Sequence, residues 1–345
     1  MSDLKFSVVI PVYNCEDTIR SCLDSILLTN QAELEVVAVD DGSSDQSGAV
    51  LDQYARKDPR LHVIHQNNMG NSFSRDTAVQ NTTGDYILFV DADDELEPHA
   101  VDQIAGFLKD LPDILIFGFT SVFTEEHYSV KKQMPDRTFS DAKEAAVFLL
   151  EQGGFNLLWN KCWKASLIRS YHDFPAMKTT GQDFIFNCHV FPRAGSVISC
   201  SRLFYRYEKR SRETMVTRYL QDGYGNLKRK EIALEEMLHQ FTDVPEQVLA
   251  DYMIREYEVY TINLFSPKCP LSAAEKKEEI RKHILSEPAF SRICMAHPIS
   301  RYSALFQRTV KTGNAGTIVR VYSALCWFRD SCAPVYRRVR RMVNS

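Results

Sequence analysis

Four acids crowd the end of one apolar run. The stretch FVDADDE, residues 89–95, places Asp91, Asp93, Asp94 and Glu95 directly after DYILFV. Like charges repel and desolvated carboxylates are costly. Either these acids point into water at a turn, or a cation holds them together. In an extended segment residues two apart face the same way, which would put Asp91 and Asp93 on one side. Hard cations such as Mg²⁺ or Mn²⁺ take one or two carboxylates and complete their shell with substrate phosphates. A solvated acidic turn capping the next helix accounts for Asp94 and Glu95 better than for Asp93.

A second acidic turn, DDGSSD at residues 40–45, follows the apolar run LEVVAV. Asp41-Gly42 suits a tight turn, and Ser44 or Asp45 suits a helix cap. Two successive acids ask for more: Asp41 could accept hydrogen bonds from the N–H edge of a nucleobase. The nine histidines show no metal-ligand spacing, and His62 and His65 flank a strand-like segment.

The elements that must position these groups alternate. FSVVIPVY, LEVVAVDD, LHVIHQ, DYILFVDAD and DILIFGFT read as strands, and the segments between them carry apolar residues at helical spacing. Ile19, Cys22, Leu23, Ile26 and Leu27 are one such stripe, and Pro98 suits the first turn of another helix. The pattern predicts an α/β fold with a mostly parallel sheet covered on both faces. PVYN, DDGSSD and the acidic stretch all fall where a strand ends, which is where open α/β sheets bind ligands. After about residue 120 the pattern turns irregular. SDAKEAAVFLLEQG and LWNKCWKASLIRS read as helices and SVISCSRLFYRYEK as a late strand; beyond about residue 213 the chain reads as helical.

Composition narrows the class. The chain has 345 residues, 44% hydrophobic and 25% charged, with a formal net charge of −4. That suits a soluble globular protein and argues against a general nucleic-acid binder. Nine cysteines scatter without a C-x-x-C pair, which fits reduced thiols. The N-terminus carries no signal-peptide pattern, and no apolar run approaches the roughly 20 residues of a membrane helix.

SVVIPVYN, VVAVDDGSSDQS, NNMGNSFSRDTAVQNTTGDYILFVDADDELEP, LWNKCWKASLI and GQDFIFN occur in that order over residues 6 to about 215. The set resembles glycosyltransferase family 2, inverting nucleotide-sugar enzymes of GT-A fold, and above all the bacterial members that build capsular, exopolysaccharide or lipopolysaccharide chains. The resemblance implies a GT-A, Rossmann-like catalytic domain over residues 1–212, followed by a helical region over 213–345. It implies that Pro11, Tyr13 and Asn14 lie along the nucleoside, that Asp41 reads uracil, and that Arg75 lies near the nucleotide. Asp91 and Asp93 become the D-x-D pair holding Mn²⁺ or Mg²⁺, Asp93 the more direct ligand.

Asp183 matches the family's catalytic base, although Gln182 stands where an acid is usual, and Asp76 replaces an asparagine after Arg75. On its own, Asp183 is also a helix N-terminal acid facing the dipole. Trp159 could stack a sugar ring and Lys161 approach an anion, or both could belong to an amphipathic packed helix. Arg206 and Ser211 could approach the diphosphate. The implied reaction moves one sugar from a UDP-sugar to a glycan or polyprenyl-linked acceptor in the cytoplasm, at or near the inner face of the cell membrane.

Two other readings stand beside this one. A sugar nucleotidyltransferase would need a glycine-rich loop where PVYNCED stands. A non-catalytic sugar-nucleotide scaffold would explain Gln182 but not Asp91, Asp93 and Asp183 together. The Q-x-x-R-W motif of processive synthases is absent. Finally, residues 317–345 carry Arg320, Arg329, Arg337, Arg338, Arg340 and Arg341 against one acid, Asp330. Val319, Tyr322, Leu325, Trp327, Phe328 and Tyr336 are interleaved. This suits an interfacial helix on anionic lipid, or a docked terminal helix with its arginines in water.

Overall fold

The computed structural model describes residues 4–125, 127–171, 180–210, 219–241, 244–296, 298 and 303–331. The chain divides into two units. The first holds residues up to Arg212 together with Glu236–Thr242, and the second holds Glu213–Glu235 and the residues from Asp243 onward.

The first unit is built on one mixed sheet. Its opening half runs β1 (Phe6–Val12), α1 (Ile19–Leu27), β2 (Leu34–Asp40), α2 (Ser47–Ala55), β3 (Leu61–His65), α3 (Asn71–Gln80) and β4 (Tyr86–Phe89). A short β5 (Glu95–Leu96), α4 (Ala100–Phe107) and β6 (Ile114–Phe123) follow. The rest comprises β7 (Tyr128–Lys132), β8 (Arg137–Thr138), α5 (Ala142–Gln152), β9 (Lys161–Lys164), α6 (Ala165–Arg169), α7 (Gln182–Val190) and β10 (Val197–Lys209). Strand order is β3-β2-β1-β4-β9-β6-β10-β5, with β7 beside β6 and β8 beside β10.

The β-branched runs that read as buried strands are so. Every residue of β2 is buried, and β1 is buried except at Pro11. The stripe Ile19, Cys22, Leu23, Ile26 and Leu27 faces the core. β1 to β4 pair in parallel, with Val12 abreast of Asp40.

Three expectations about elements change. LWNKCWKASLIRS is not one helix: Lys161–Lys164 forms β9, antiparallel to both β4 and β6, and only Ala165–Arg169 is helical. The sheet is therefore mixed rather than mostly parallel. The strand is short, and its buried lysine breaks the apolar run by which a buried strand is recognised. Second, α4 starts at Ala100 behind a left-handed His99, so Pro98 precedes the helix. Third, Asp91–Asp94 is a turn closed by Asp94 N–H donating to the Asp91 carbonyl at 3.0 Å, not an extended segment. Alternation therefore does not relate Asp91 to Asp93.

The second unit is helical where described. It comprises the start of α8 (Gly223–Gln240), then α9 (Glu246–Leu264), α10 (Ala273–Ile280), α11 (Pro288–Ala296), α12 (Ala304–Val310) and α13 (Ala315–Ser331). No helix among the described residues is long and apolar enough to cross a membrane.

Candidate active site

The loops after β1 and β2 are laced together. Asn14, in the left-handed region that asparagine tolerates, accepts the Ser44 N–H at 2.8 Å and donates its own N–H to Ser43 Oγ at 3.1 Å. Cys15 N–H donates to Ser47 Oγ, and Asp45 accepts from the N–H groups of Glu16 and Ser47. Pro11 is half-buried and Tyr13 is exposed at this edge.

Asp41 is buried and accepts three hydrogen bonds. Its carboxylate accepts from Gln66 Nε2 at 2.7 Å, Met69 N–H at 2.9 Å and Gly70 N–H at 2.7 Å. This ties the loop after β3 to the loop after β2. Gly42 makes the approach possible: its φ is +71°, and a Cβ there would sit 2.9 Å from Asn68 N. Asp40, also buried, accepts from Ser43 N–H and pairs with His65 Nδ1 at 2.9 Å. His65 reaches Asp52 with Nε2, and hydrogen bonds to Asp40 and Asp52 raise its pKa.

Arg75 joins two chemistries. It lies on α3, buried, with one guanidinium nitrogen 2.8 Å from Asp91 Oδ1 and the other paired with Asp183 Oδ1. Among the described residues, its Nε is buried without a partner. Asp183 opens α7 behind Gly181, which is left-handed at φ +97°. Burial raises the Asp183 carboxyl above the usual range, Arg75 opposes that rise, and Asp91 adds to it. Gln182 beside it is buried.

The acidic turn is held from several sides. Thr18 Oγ1 donates to the Ala92 carbonyl at 2.9 Å, and Arg210 donates to the Asp93 carbonyl at 3.2 Å. Asp93 is exposed, and Asp91 is half-buried. Asp94 is not the solvated acid expected of it. It is buried, accepting from Tyr205 Oη and from Glu208 N–H, each at 2.8 Å. Burial pushes its carboxyl well up, with the charges of Asp91 and Asp93 adding. Glu95 instead faces Arg206 at 3.5 Å.

Several expected ligand contacts are structural. Trp159 is buried and stacks on Tyr205, with ring centroids 4.4 Å apart, and on Tyr207. It therefore offers no free platform for a sugar ring. Lys161 is fully buried and donates to the carbonyls of Gly154 and Leu157 and to Asn160 Oδ1. Burial lowers its pKa, and it does not reach out to an anion. Arg206 is engaged by Glu95 and Glu208. Ser211 lies outside the described residues. The sequence reading missed Tyr205, Arg210 and Thr18, because each acts through a fold-dependent contact with no spacing signature.

Among the described residues no group of three His, Cys, Asp or Glu side chains converges as a metal site. What the turn does present is oxygen: an exposed Asp93 and a half-buried Asp91, whose Oδ1 pairs with Arg75. That donor set suits a hard cation whose remaining ligands come from phosphates.

The chain is similar to several known proteins. Residues 7–171 match the profile described as Glycosyl transferase family 2. EpsH of Bacillus subtilis is 30% identical over 208 residues, 58% of this chain and 60% of that protein. The poly(ribitol-phosphate) beta-glucosyltransferase of Bacillus spizizenii is 31% identical over 232 residues, 64% of this chain and 35% of that protein. This chain thus spans less than two thirds of the length of these curated relatives. Among solved structures, S. aureus TarS 1-349 in complex with UDP-GlcNAc superposes with a TM-score of 0.68 at 24% identity, covering 95% of this chain and 92% of that one. The fold is therefore the expected GT-A arrangement with a helical region after it, and residues 7–171 are similar to glycosyl transferase family 2.

Proposed function

We propose that this chain is an inverting glycosyltransferase that moves one sugar from a UDP-sugar to a hydroxyl of a glycan or lipid-linked acceptor in cell-surface polysaccharide synthesis. The observation that carries the reading is Arg75, whose single guanidinium holds both the D-x-D acid Asp91 and the base candidate Asp183. Metal-side and base-side groups from distant segments meet there, as a single displacement requires. The UDP and UDP-GlcNAc complexes of TarS support a UDP-sugar as the donor.

In this reading Pro11, Tyr13 and Asn14 line the nucleoside, and Asp41 accepts the N3–H of uracil. Asp93 and Asp91 would hold Mn²⁺ or Mg²⁺, which supplies Lewis-acid neutralisation of the departing diphosphate. Asp183 takes the proton of the acceptor hydroxyl as that oxygen attacks the anomeric carbon from the face opposite UDP. Arg75 keeps Asp183 oriented and favours its charged form. The exposed face of α13, bearing Trp327, Phe328 and Arg320, would rest on anionic lipid.

The test is a donor screen. Purified protein with Mn²⁺ is offered UDP-, GDP-, CDP- and dTDP-sugars, and slow hydrolysis is read. Release of UDP from one sugar donor, lost on chelation, is the expected result. No hydrolysis of any donor, with and without acceptor extracts, would overturn the reading.

A further inference from the structure

We propose that Tyr205 and Asp94 are positioning residues that set the D-x-D turn for cation binding. This rests on the metal reading above. Asp91, Ala92, Asp93 and Asp94 form one tight turn, and a single hydroxyl spans its two ends. Tyr205 Oη accepts the Asp91 N–H at 3.1 Å and donates to Asp94 Oδ2 at 2.8 Å. The other Asp94 oxygen accepts Glu208 N–H. Both side chains are buried, where an unmade hydrogen bond is costly.

The arrangement sorts the three aspartates of the turn. Asp94 points into the protein as its anchor, Asp91 is held by Arg75, and Asp93 sits at the exposed crest. The Tyr205 ring is itself fixed by the stack on Trp159. Trp159 follows the Gly154–Leu158 segment, whose carbonyls are gripped by Lys161 and by Asn187 of α7. Asn187 lies one helical turn beyond Asp183. The turn and the base helix are therefore joined twice, once through Arg75 and once through this packed arc. Tyr205, Trp159 and Lys161 thus serve the site by holding its geometry.

The experiment titrates UDP into the full chain by calorimetry, in Mn²⁺ and in EDTA, for wild type, Tyr205→Phe, Asp94→Asn, the double variant and Asp93→Asn. Phenylalanine keeps the stack and removes only the hydroxyl. Losing one buried hydrogen-bond pair should cut the Mn²⁺-dependent gain in UDP affinity by about tenfold, with affinity in EDTA unchanged. Asp94→Asn should move the same way, and the double variant should be little worse than either single one, because both act through one contact. Asp93→Asn, the direct ligand, should abolish the gain. A full Mn²⁺ gain in Tyr205→Phe and Asp94→Asn would overturn the positioning role alone. So would equal losses with and without Mn²⁺, the mark of a merely structural residue. A wild type whose UDP affinity ignores Mn²⁺ would overturn the metal reading on which the inference rests.

Discussion

Arg75 and Asp183 form an ion pair across 108 positions of sequence. The other guanidinium nitrogen holds Asp91 at 2.8 Å. A planar fork serves two carboxylates at once, whereas an ammonium is a point charge and cannot reproduce that geometry. Arg75→Lys should therefore lower kcat by roughly 10²-fold, the scale of a disturbed general base, with a smaller effect on KM for the donor. Steady-state kinetics decide this, and an unchanged kcat would remove Arg75 from the mechanism.

Asp41 has a scaffold task beside its expected part in binding. A carboxylate offers about four acceptor positions, and Gln66, Met69 and Gly70 use three. Among the described residues the position left lies on Oδ2, and it suits one donor from a base. Asp41→Ala should thus weaken UDP binding and also destabilise the fold by about 1–3 kcal/mol, since buried N–H groups lose their acceptor. Wild-type protein should prefer UDP over CDP in calorimetry, and equal affinity would count against base reading by Asp41.

Where the sequence was legible, local pattern and final packing agreed. The β-branched strands β1, β2 and β4 and the stripe on α1 are all recognisable from spacing, and the acidic motifs do sit at strand ends. What stayed hidden is long-range. β9 is disguised by Lys161, a residue type almost never fully buried. Its charge is met by carbonyls brought in by tertiary structure. Asp94 reads as a surface acid until Tyr205, 111 positions away, is folded against it. Tyr322 reads as part of an apolar membrane face, yet it is buried and donates to Glu258 at 2.6 Å.

That last contact sharpens the test of membrane attachment. α13 also buries Ile318 and Cys326, so truncation before it would strip the helical unit of core, whereas Trp327, 66% exposed, and Phe328 leave that core intact when changed. Trp327→Ser with Phe328→Ser should weaken binding to phosphatidylglycerol vesicles. Raised salt should weaken it too, because screening shortens the reach of Arg320 and its basic neighbours. Arg337, Arg338, Arg340, Arg341 and Tyr336 lie outside the described residues. Vesicle binding indifferent to both changes would rule the attachment out.

Glu35 makes acid stability testable. It is buried at the start of β2, and burial alone would raise its pKa. Hydrogen bonds from Ser7, from Thr83 and from Lys5 outweigh that and bring it down to about 2. A depressed carboxylate contributes stability that is present above its unfolded pKa and lost as pH falls through the folded one. The shift corresponds to about 3 kcal/mol. Thermal unfolding of the wild type should weaken from about pH 5 to pH 2 more steeply than that of Glu35→Gln. Parallel curves would show that this network contributes nothing to the pH dependence.

Asp183 carries the sharpest prediction. The acceptor hydroxyl is a weak nucleophile until its proton is taken in the transition state, and a carboxylate within reach contributes roughly 10²- to 10⁴-fold by taking it. Asp183→Asn keeps the shape and loses the basicity, so it should bind UDP-sugar nearly as wild type does and lose most transfer. Burial, with Asp91, raises the Asp183 carboxyl despite Arg75. A base must be deprotonated to act, so kcat should fall as pH drops through that raised value, placing the acidic limb above the ordinary carboxylate range. Gln182→Glu adds a like charge beside it and should move the limb to higher pH without changing donor affinity. Inversion is read from the anomeric coupling of the product by NMR, since attack opposite UDP reverses the donor's configuration. A product that retains that configuration, or an Asp183→Asn enzyme near full activity, would show that the proton goes elsewhere.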